Sequence, residues 1–215
     1  MAKGILFDLD GTFADTAPDL AAALNHVRGL HQLPPLPLET IRPQASHGAR
    51  GLLGLGFGIT PEDPRFEALR GEFLDYYDSH ICVHTHPFAG MTELVDELER
   101  RGMPWGIVTN KPHRFTVPLM QALGYAQRAA CLVSGDTCEH AKPHPLPLLH
   151  AAAVMQLAPA ECIYLGDDLR DMQAAQAAGM PGIVARYGYI GSPQETAGWP
   201  AQGAVDSPPQ LLQYL

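Results

Sequence analysis

Two aspartates two residues apart, Asp8 and Asp10, are followed by Gly11 and Thr12 at the end of the apolar run Gly4-Ile5-Leu6-Phe7. The run has the character of a buried strand, so both carboxylates stand where the backbone leaves the sheet. Ligand sites of open α/β sheets lie at that end of the strands. A carboxylate pair there can supply one nucleophile and one general acid/base beside a cation, and Gly11 permits the sharp turn. Taken alone the string is equally an ordinary turn, since Asp and Gly are common turn formers. A calcium loop of the EF-hand type fits poorly, because its positions 5, 6 and 12 fall on Thr12, Phe13 and Asp19.

Three more polar clusters follow apolar runs. Thr109-Asn110-Lys111 comes after Trp105-Gly106-Ile107-Val108, Lys142-Pro143 lies beyond Cys131-Leu132-Val133, and Gly166-Asp167-Asp168-Leu169-Arg170-Asp171 follows Cys162-Ile163-Tyr164-Leu165. Each has a plain structural explanation, as a turn, a solvated lysine or a helix N-cap. If the runs are strands of one parallel sheet, however, all four loops meet on one edge and bring together Asp8, Asp10, Thr109, Lys142, Asp167, Asp168 and Asp171. That many carboxylates repel unless a hard divalent cation, Mg²⁺ best of all, relieves the charge. A phosphate dianion could then approach, with Thr109 and Lys142 contacting its oxygens.

The elements that would position these residues follow from periodicity. From Met91 onward helix and strand alternate: Met91, Leu94, Val95 and Leu98 form one helical face closed by Gly102, and further helices are expected at 115–123, 146–155 and 169–178, with a last strand at 182–185. Continuous apolar strands in such units predict a parallel sheet covered by helices on both faces. Residues 17–83 show helical pieces and no convincing strand, which predicts a helical insertion. Thr16-Ala17-Pro18-Asp19 resembles a capping box with Asp in place of Glu, and Leu20, Leu24, Val27 and Leu30 follow helical spacing behind it. The Pro-rich run 33–37 is expected to be a rigid inter-helix loop.

Composition bounds the function. The chain has 215 residues, 46% hydrophobic and 17% charged, enough for one core and a smaller module. A net charge of −9 argues against a nucleic-acid surface. No apolar stretch reaches membrane-spanning length and no signal-peptide pattern opens the chain, so the expectation is a cytoplasmic protein without membrane association. Cys82, Cys131, Cys138 and Cys162 form no C-x-x-C pair, and a disulfide framework is not expected. His84-Thr85-His86 lacks a third ligand nearby and is a weak metal pair.

The order and content of the four motifs resemble the haloacid dehalogenase superfamily across essentially the whole chain. The resemblance implies a Rossmann-like α/β core of residues 1–16 and 84–215 with a small all-helical cap, 17–83, inserted after the first motif. It implies that Asp8 is the nucleophile forming an aspartyl-phosphate, that Asp10 protonates the leaving oxygen and then activates water, and that Thr109, Asn110 and Lys142 bind the phosphoryl group. It also implies Mg²⁺ held by Asp8, the Asp10 carbonyl and Asp167, with Asp171 in the outer coordination sphere. Asp168 stands where relatives often carry a hydroxyl residue and is a further candidate beside the metal.

Residues discriminate within the superfamily. True dehalogenases lack the second aspartate, and phosphonoacetaldehyde hydrolases use a cap lysine, whereas the only lysines here are Lys3, Lys111 and Lys142. A small phosphorylated metabolite is thus the expected substrate. A sugar phosphomutase has the same motifs, and a silent phosphometabolite-binding protein would keep the fold; both remain alternatives. The insertion resembles the cap of the phosphoglycolate phosphatase-like branch, with 14–16 and 84–89 as hinges. In it Ser46 could cap a helix, Arg50 could reach a second anionic group, and His47 is a further specificity candidate. Arg186-Tyr187-Gly188-Tyr189 is placed to line the edge of the site. The strings 46–50, 103–111, 166–171 and 186–190 resemble bacterial N-acetylmuramic acid 6-phosphate phosphatases, which makes that substrate the leading expectation and 2-phosphoglycolate the second.

Overall fold

Apolar runs that lack polar alternation must be buried on both faces, and four of them form the centre of the sheet. The computed structural model describes residues 2–215. Strands β1 (Gly4–Phe7), β4 (Trp105–Val108), β5 (Cys131–Val133), β6 (Cys162–Gly166), β7 (Gly182–Ala185) and β8 (Gly203–Val205) lie in the order β5-β4-β1-β6-β7-β8, every pair parallel. Along β1, Ile5 and Phe7 enter one apolar cluster and Leu6 the other, as the two-residue period of a strand requires.

Helices α5 (Met91–Arg100) and α6 (His113–Ala122) pack on the Ile5/Phe7 face, and α7 (Leu146–Val154) and α8 (Leu169–Ala177) on the Leu6 face. The two flanking layers satisfy the burial that the strand composition demands. Strand β8 extends the sheet beyond the last expected strand, and the 3-10 segment Pro208–Tyr214 follows it. Three residues in a Pro- and Gln-rich tail carry too little periodicity to announce themselves.

Between β1 and α5 lies an all-helical unit: α1 (Ala17–Leu30), α2 (Leu38–Ile41), a 3-10 turn (Arg42–His47), α3 (Gly48–Phe57) and α4 (Phe66–Ser79). Its own apolar cluster includes Leu20, Leu24, Val27, Leu52, Leu53, Phe73 and Tyr77. Leu30 continues the spacing but is 58% exposed, because α1 ends there. The Pro-rich loop is rigid: Asn25 exchanges both amide hydrogen bonds with the Leu36 backbone, at 3.0 and 2.8 Å.

Two short strands carry the chain between the helical unit and the sheet. β2 (Ala14–Asp15) and β3 (His86–Pro87) pair antiparallel, at the segments expected to act as hinges. The expected capping box at Thr16 does not form. The Thr16 hydroxyl donates instead to Asp10, and Asp19 accepts the backbone N–H groups of Val83, His84 and Thr85 together with the Thr85 hydroxyl. Long-range acceptors and donors win over the local pair because both side chains are buried. The α1 amides left over, those of Thr16 and Ala17, donate to the Tyr189 hydroxyl at 2.6 and 2.8 Å.

Candidate active site

The sheet order places β1 between β4 and β6, so the chain reverses its direction of growth beside the C-terminal end of β1. A crevice opens at such a point. Asp8 follows β1, Thr109 follows β4, and Asp167 follows β6. The loop after β1 is fixed from below by Phe13, which stacks on Trp105 at 5.5 Å and meets Tyr125 edge-on at 5.1 Å. Gly11 has φ +85°, and a Cβ there would collide with the Asp167 carboxylate. Glycine at this position lets the loop carrying Asp8 and Asp10 approach the β6 loop.

Asp8, Asp167 and Asp171 are buried, and each offers an oxygen within 4.8 Å of the others. Lys142 is the cation placed against them: its Nζ donates to Asp8 Oδ1 at 2.8 Å, Asp171 Oδ1 at 2.7 Å, the Tyr164 hydroxyl at 2.7 Å and the Val108 carbonyl at 3.0 Å. Burial opposes its charge, but Asp171 and Asp8 outweigh that and hold its pKa above the usual lysine value. One ammonium does not balance three carboxylates. Burial, with Asp171 and Asp10 adding to it and Lys142 opposing, raises the Asp8 pKa to about 7, and burial with Asp8 and Asp171 nearby raises Asp167 well above the ordinary range. A buried oxygen cluster with excess negative charge is what a hard divalent cation requires. His84 and His86 are not in such a group; the His86 ring contacts the His84 carbonyl.

The remaining expected residues fall into place with some changes of duty. The Thr109 side chain lines the pocket, and its oxygen accepts the Lys111 N–H at 3.1 Å, leaving the hydroxyl proton free to donate. Asn110 was expected to meet phosphate. Its amide instead brackets the backbone of Lys142, Nδ2 to the carbonyl at 2.9 Å and Oδ1 from the N–H at 3.0 Å, so the side chain is committed to holding that loop. Asp168 was a candidate beside the metal. Its carboxylate is bound by the Arg170 guanidinium at 2.7 and 2.8 Å and caps α8, and it stands outside the acidic group; burial works against its charge, yet Arg170 holds its pKa below the usual range. Asp171 is oriented through both oxygens, Oδ1 by Lys142 and Oδ2 by the Asp168 N–H at 3.1 Å.

From the helical unit, Ser46 does not cap a helix. It sits in the 3-10 turn, donates to Asp167 Oδ2 at 3.3 Å, and gives its carbonyl to Arg170 at 2.9 Å. His47 and Arg50 line the same cavity, of about 580 Å³, as Asp8, Asp10 and Lys142. Tyr189, expected at the edge of the site, donates its N–H to Asp167 Oδ2 at 2.9 Å and its hydroxyl to Asp15 at 3.0 Å.

Two side chains were missed. Lys111 was noted only as part of the string after β4, yet its Nζ meets Asp10 Oδ1 at 2.9 Å and lies 4.7 Å from the centre of the Tyr77 ring. Burial disfavours that charge, but Asp10 and Tyr77 raise the pKa beyond the ordinary lysine value. Thr12 donates to Asp167 Oδ1 at 2.8 Å. Both are adjacent in sequence to motif residues, and that adjacency was the available signal.

A parallel Rossmann-like sheet, a helical insertion after the first strand and an acidic cluster beside a buried lysine define a hydrolase class: the chain belongs to the haloacid dehalogenase-like hydrolase family, whose model matches residues 5–185. Among its relatives, it is 43% identical to an N-acetylmuramic acid 6-phosphate phosphatase of Pseudomonas aeruginosa over 99% of this chain and 94% of that one. It is 42% identical to a phosphoglycolate phosphatase of Xanthomonas campestris pv. campestris over 98% and 95%. The crystal structure of a predicted phosphoglycolate phosphatase from Haemophilus somnus superposes with a TM-score of 0.86 at 25% identity, covering 99% of this chain and 97% of that one. Among the described residues no helix is long and apolar enough to cross a membrane.

Proposed function

We propose that this chain is a Mg²⁺-dependent phosphomonoesterase that uses Asp8 as nucleophile on a small phosphorylated metabolite. The observation that carries the reading is the buried group Asp8, Asp167 and Asp171 on one sheet edge, with Lys142 bonded to the first and third. Asp8 accepts Lys142 on Oδ1, and among the described residues no donor meets its Oδ2. A carboxylate oxygen of Asp8 attacks phosphorus, the P–O ester bond breaks, and Asp10 gives its proton to the departing alkoxide. Water then attacks the aspartyl-phosphate, Asp10 takes the proton, and inorganic phosphate leaves with Asp8 restored. Thr109 donates to a phosphoryl oxygen, and Lys142 exchanges one of its present acceptors for another. Asp8, Asp167 and the Asp10 carbonyl are the ligands in this reading, with Asp171 in the outer sphere; Mg²⁺ bound there supplies the charge neutralisation that lets a phosphate dianion approach.

Residues 17–83 act as a cap over a core of 1–16 and 84–215, with β2 and β3 as the hinge, and exclude water when closed. The named relatives support N-acetylmuramic acid 6-phosphate as the first substrate to test and 2-phosphoglycolate as the second. Asp8→Asn is expected to abolish hydrolysis of p-nitrophenyl phosphate in Mg²⁺, by roughly a thousandfold or more as for other lost nucleophiles. Turnover that survived the substitution would sink the mechanism.

A further inference from the structure

We infer that Arg50 and Arg114 form a second anion-binding subsite in the pocket, which selects phosphomonoesters bearing a carboxylate on a sugar-sized body. This rests on the phosphomonoesterase reading above and adds the residues that read the rest of the substrate.

The chain has 14 lysines and arginines against 23 aspartates and glutamates, so a cation on its surface readily finds a carboxylate. Among the described residues, every other lysine and arginine is engaged: all form ion pairs except Arg28, which donates to backbone carbonyls. The two guanidinium groups without an ion pair or hydrogen bond are Arg50 and Arg114, and both line the cavity that holds Asp8. Arg50 acts on Glu62 only through space. Arg114 lies 4.4 Å over the ring of Phe115, which orients the guanidinium without using its donors. Among the described residues the pocket carboxylate Asp136 makes no ion pair with it, and Asp136 Oδ1 accepts the His113 N–H at 2.8 Å.

Unpaired arginines on a solvated face have no common direction, but these two converge on one cavity from different bodies, Arg50 from α3 and Arg114 from α6. Planar forks with free N–H groups match a carboxylate. The same cavity also has apolar wall, including Leu20, Phe73 and Phe115. Its volume of about 580 Å³ suits a ligand of sugar size rather than a phosphate alone. The terminal phosphate occupies the Asp8 end, and the carboxylate is bridged by the arginine pair.

N-acetylmuramic acid 6-phosphate and N-acetylglucosamine 6-phosphate differ only in the lactyl ether that bears the carboxylate, so kcat/KM on this pair isolates the subsite. The expected wild-type preference for the acid is about 10- to 100-fold, the size of a charged hydrogen-bonded contact. In R50Q/R114Q the ratio falls toward one, and in R100Q, whose arginine pairs with Glu97 on the surface, it is retained. A wild-type ratio near one, with p-nitrophenyl phosphate still hydrolysed, overturns the subsite and leaves the phosphatase reading standing. A preference that survives in R50Q/R114Q also overturns it, by assigning selectivity to other residues. Failure to hydrolyse even p-nitrophenyl phosphate in Mg²⁺ overturns the phosphatase reading, and the subsite with it.

Discussion

Lys111 and Asp10 form a half-buried ion pair, Nζ to Oδ1 at 2.9 Å, and the same oxygen accepts the Thr16 hydroxyl at 2.6 Å. With two donors on Oδ1, Oδ2 is the oxygen that would carry and transfer a proton in the acid/base role proposed for Asp10.

Removing the ammonium from this pair should act on the chemical step. Lys111→Met keeps a long apolar stem over Tyr77 but withdraws the donor that orients Asp10. The expected result is a fall in kcat of about 10- to 100-fold on p-nitrophenyl phosphate, less than the roughly 10²–10⁴-fold that general acid–base catalysis supplies because Asp10 is misoriented rather than removed, with KM changing less. Steady-state kinetics with Mg²⁺ in excess reads it. An unchanged kcat would reduce Lys111 to a packing residue.

The strands and their polar C-terminal loops were legible because each run of four or five apolar residues needs burial on both faces, and the parallel arrangement then dictates where the loops go. Asp8, Thr109, Lys142, Asp167 and Asp171 met as those rules required. What periodicity does not encode is the choice among partners. Asn110, Asp168 and Ser46 each have several acceptors or donors in reach, and the winners are Lys142, Arg170 and Asp167, residues 32, 2 and 121 positions away. Lys111 escaped for the same reason, because a lysine next to a turn gives no sign that it folds inward onto a carboxylate 101 residues earlier. The edge strand β8 was lost to its shortness.

The crowded carboxylates predict a pH-dependent response to metal. Burial, reinforced by Asp171 and Asp10 against the pull of Lys142, raises Asp8 from 3.8 to about 7. The unfolded chain releases this proton near the lower value and the folded chain near the higher one, so between them the folded state binds more protons. Stability of the metal-free protein therefore falls as pH rises through that window, and Asp167 contributes in the same direction. Asp63 and Glu97, paired with arginines and held at about 2, change stability only as pH falls below their ordinary values of 3.8 and 4.5, so they do not mask the upper part of the window. A cation bound to the ionised cluster reverses the penalty. The rise in Tm on adding Mg²⁺ to chelator-treated protein should be larger at about pH 7.5 than at about pH 5. Equal increments at the two values would show that Mg²⁺ does not act through these carboxylates.

Asp19 offers a test of how the helical unit is tied to the core. Its sequence context suggested a local cap, but the buried carboxylate collects the N–H groups of Val83, His84 and Thr85 at 2.9 to 3.0 Å and the Thr85 hydroxyl at 2.7 Å. One side chain at the start of α1 thus closes the segment that leads from α4 into β3, beside the two-stranded connection to the sheet. Asp19→Ala leaves the buried Thr85 N–H and hydroxyl without their acceptor, while the amides of the exposed Val83 and His84 can turn to water, at a cost of about 2–3 kcal/mol, since unsatisfied buried donors lose their full desolvation energy. Urea denaturation should show that loss as a lower midpoint with an unchanged slope. Asp19→Asn retains one acceptor oxygen but places an amide among N–H groups, so it should fall between wild type and Asp19→Ala. An unfolding free energy for Asp19→Ala within about 0.5 kcal/mol of wild type, the scatter of ordinary surface substitutions, would mean that the segment is held by its packing and that the carboxylate is dispensable.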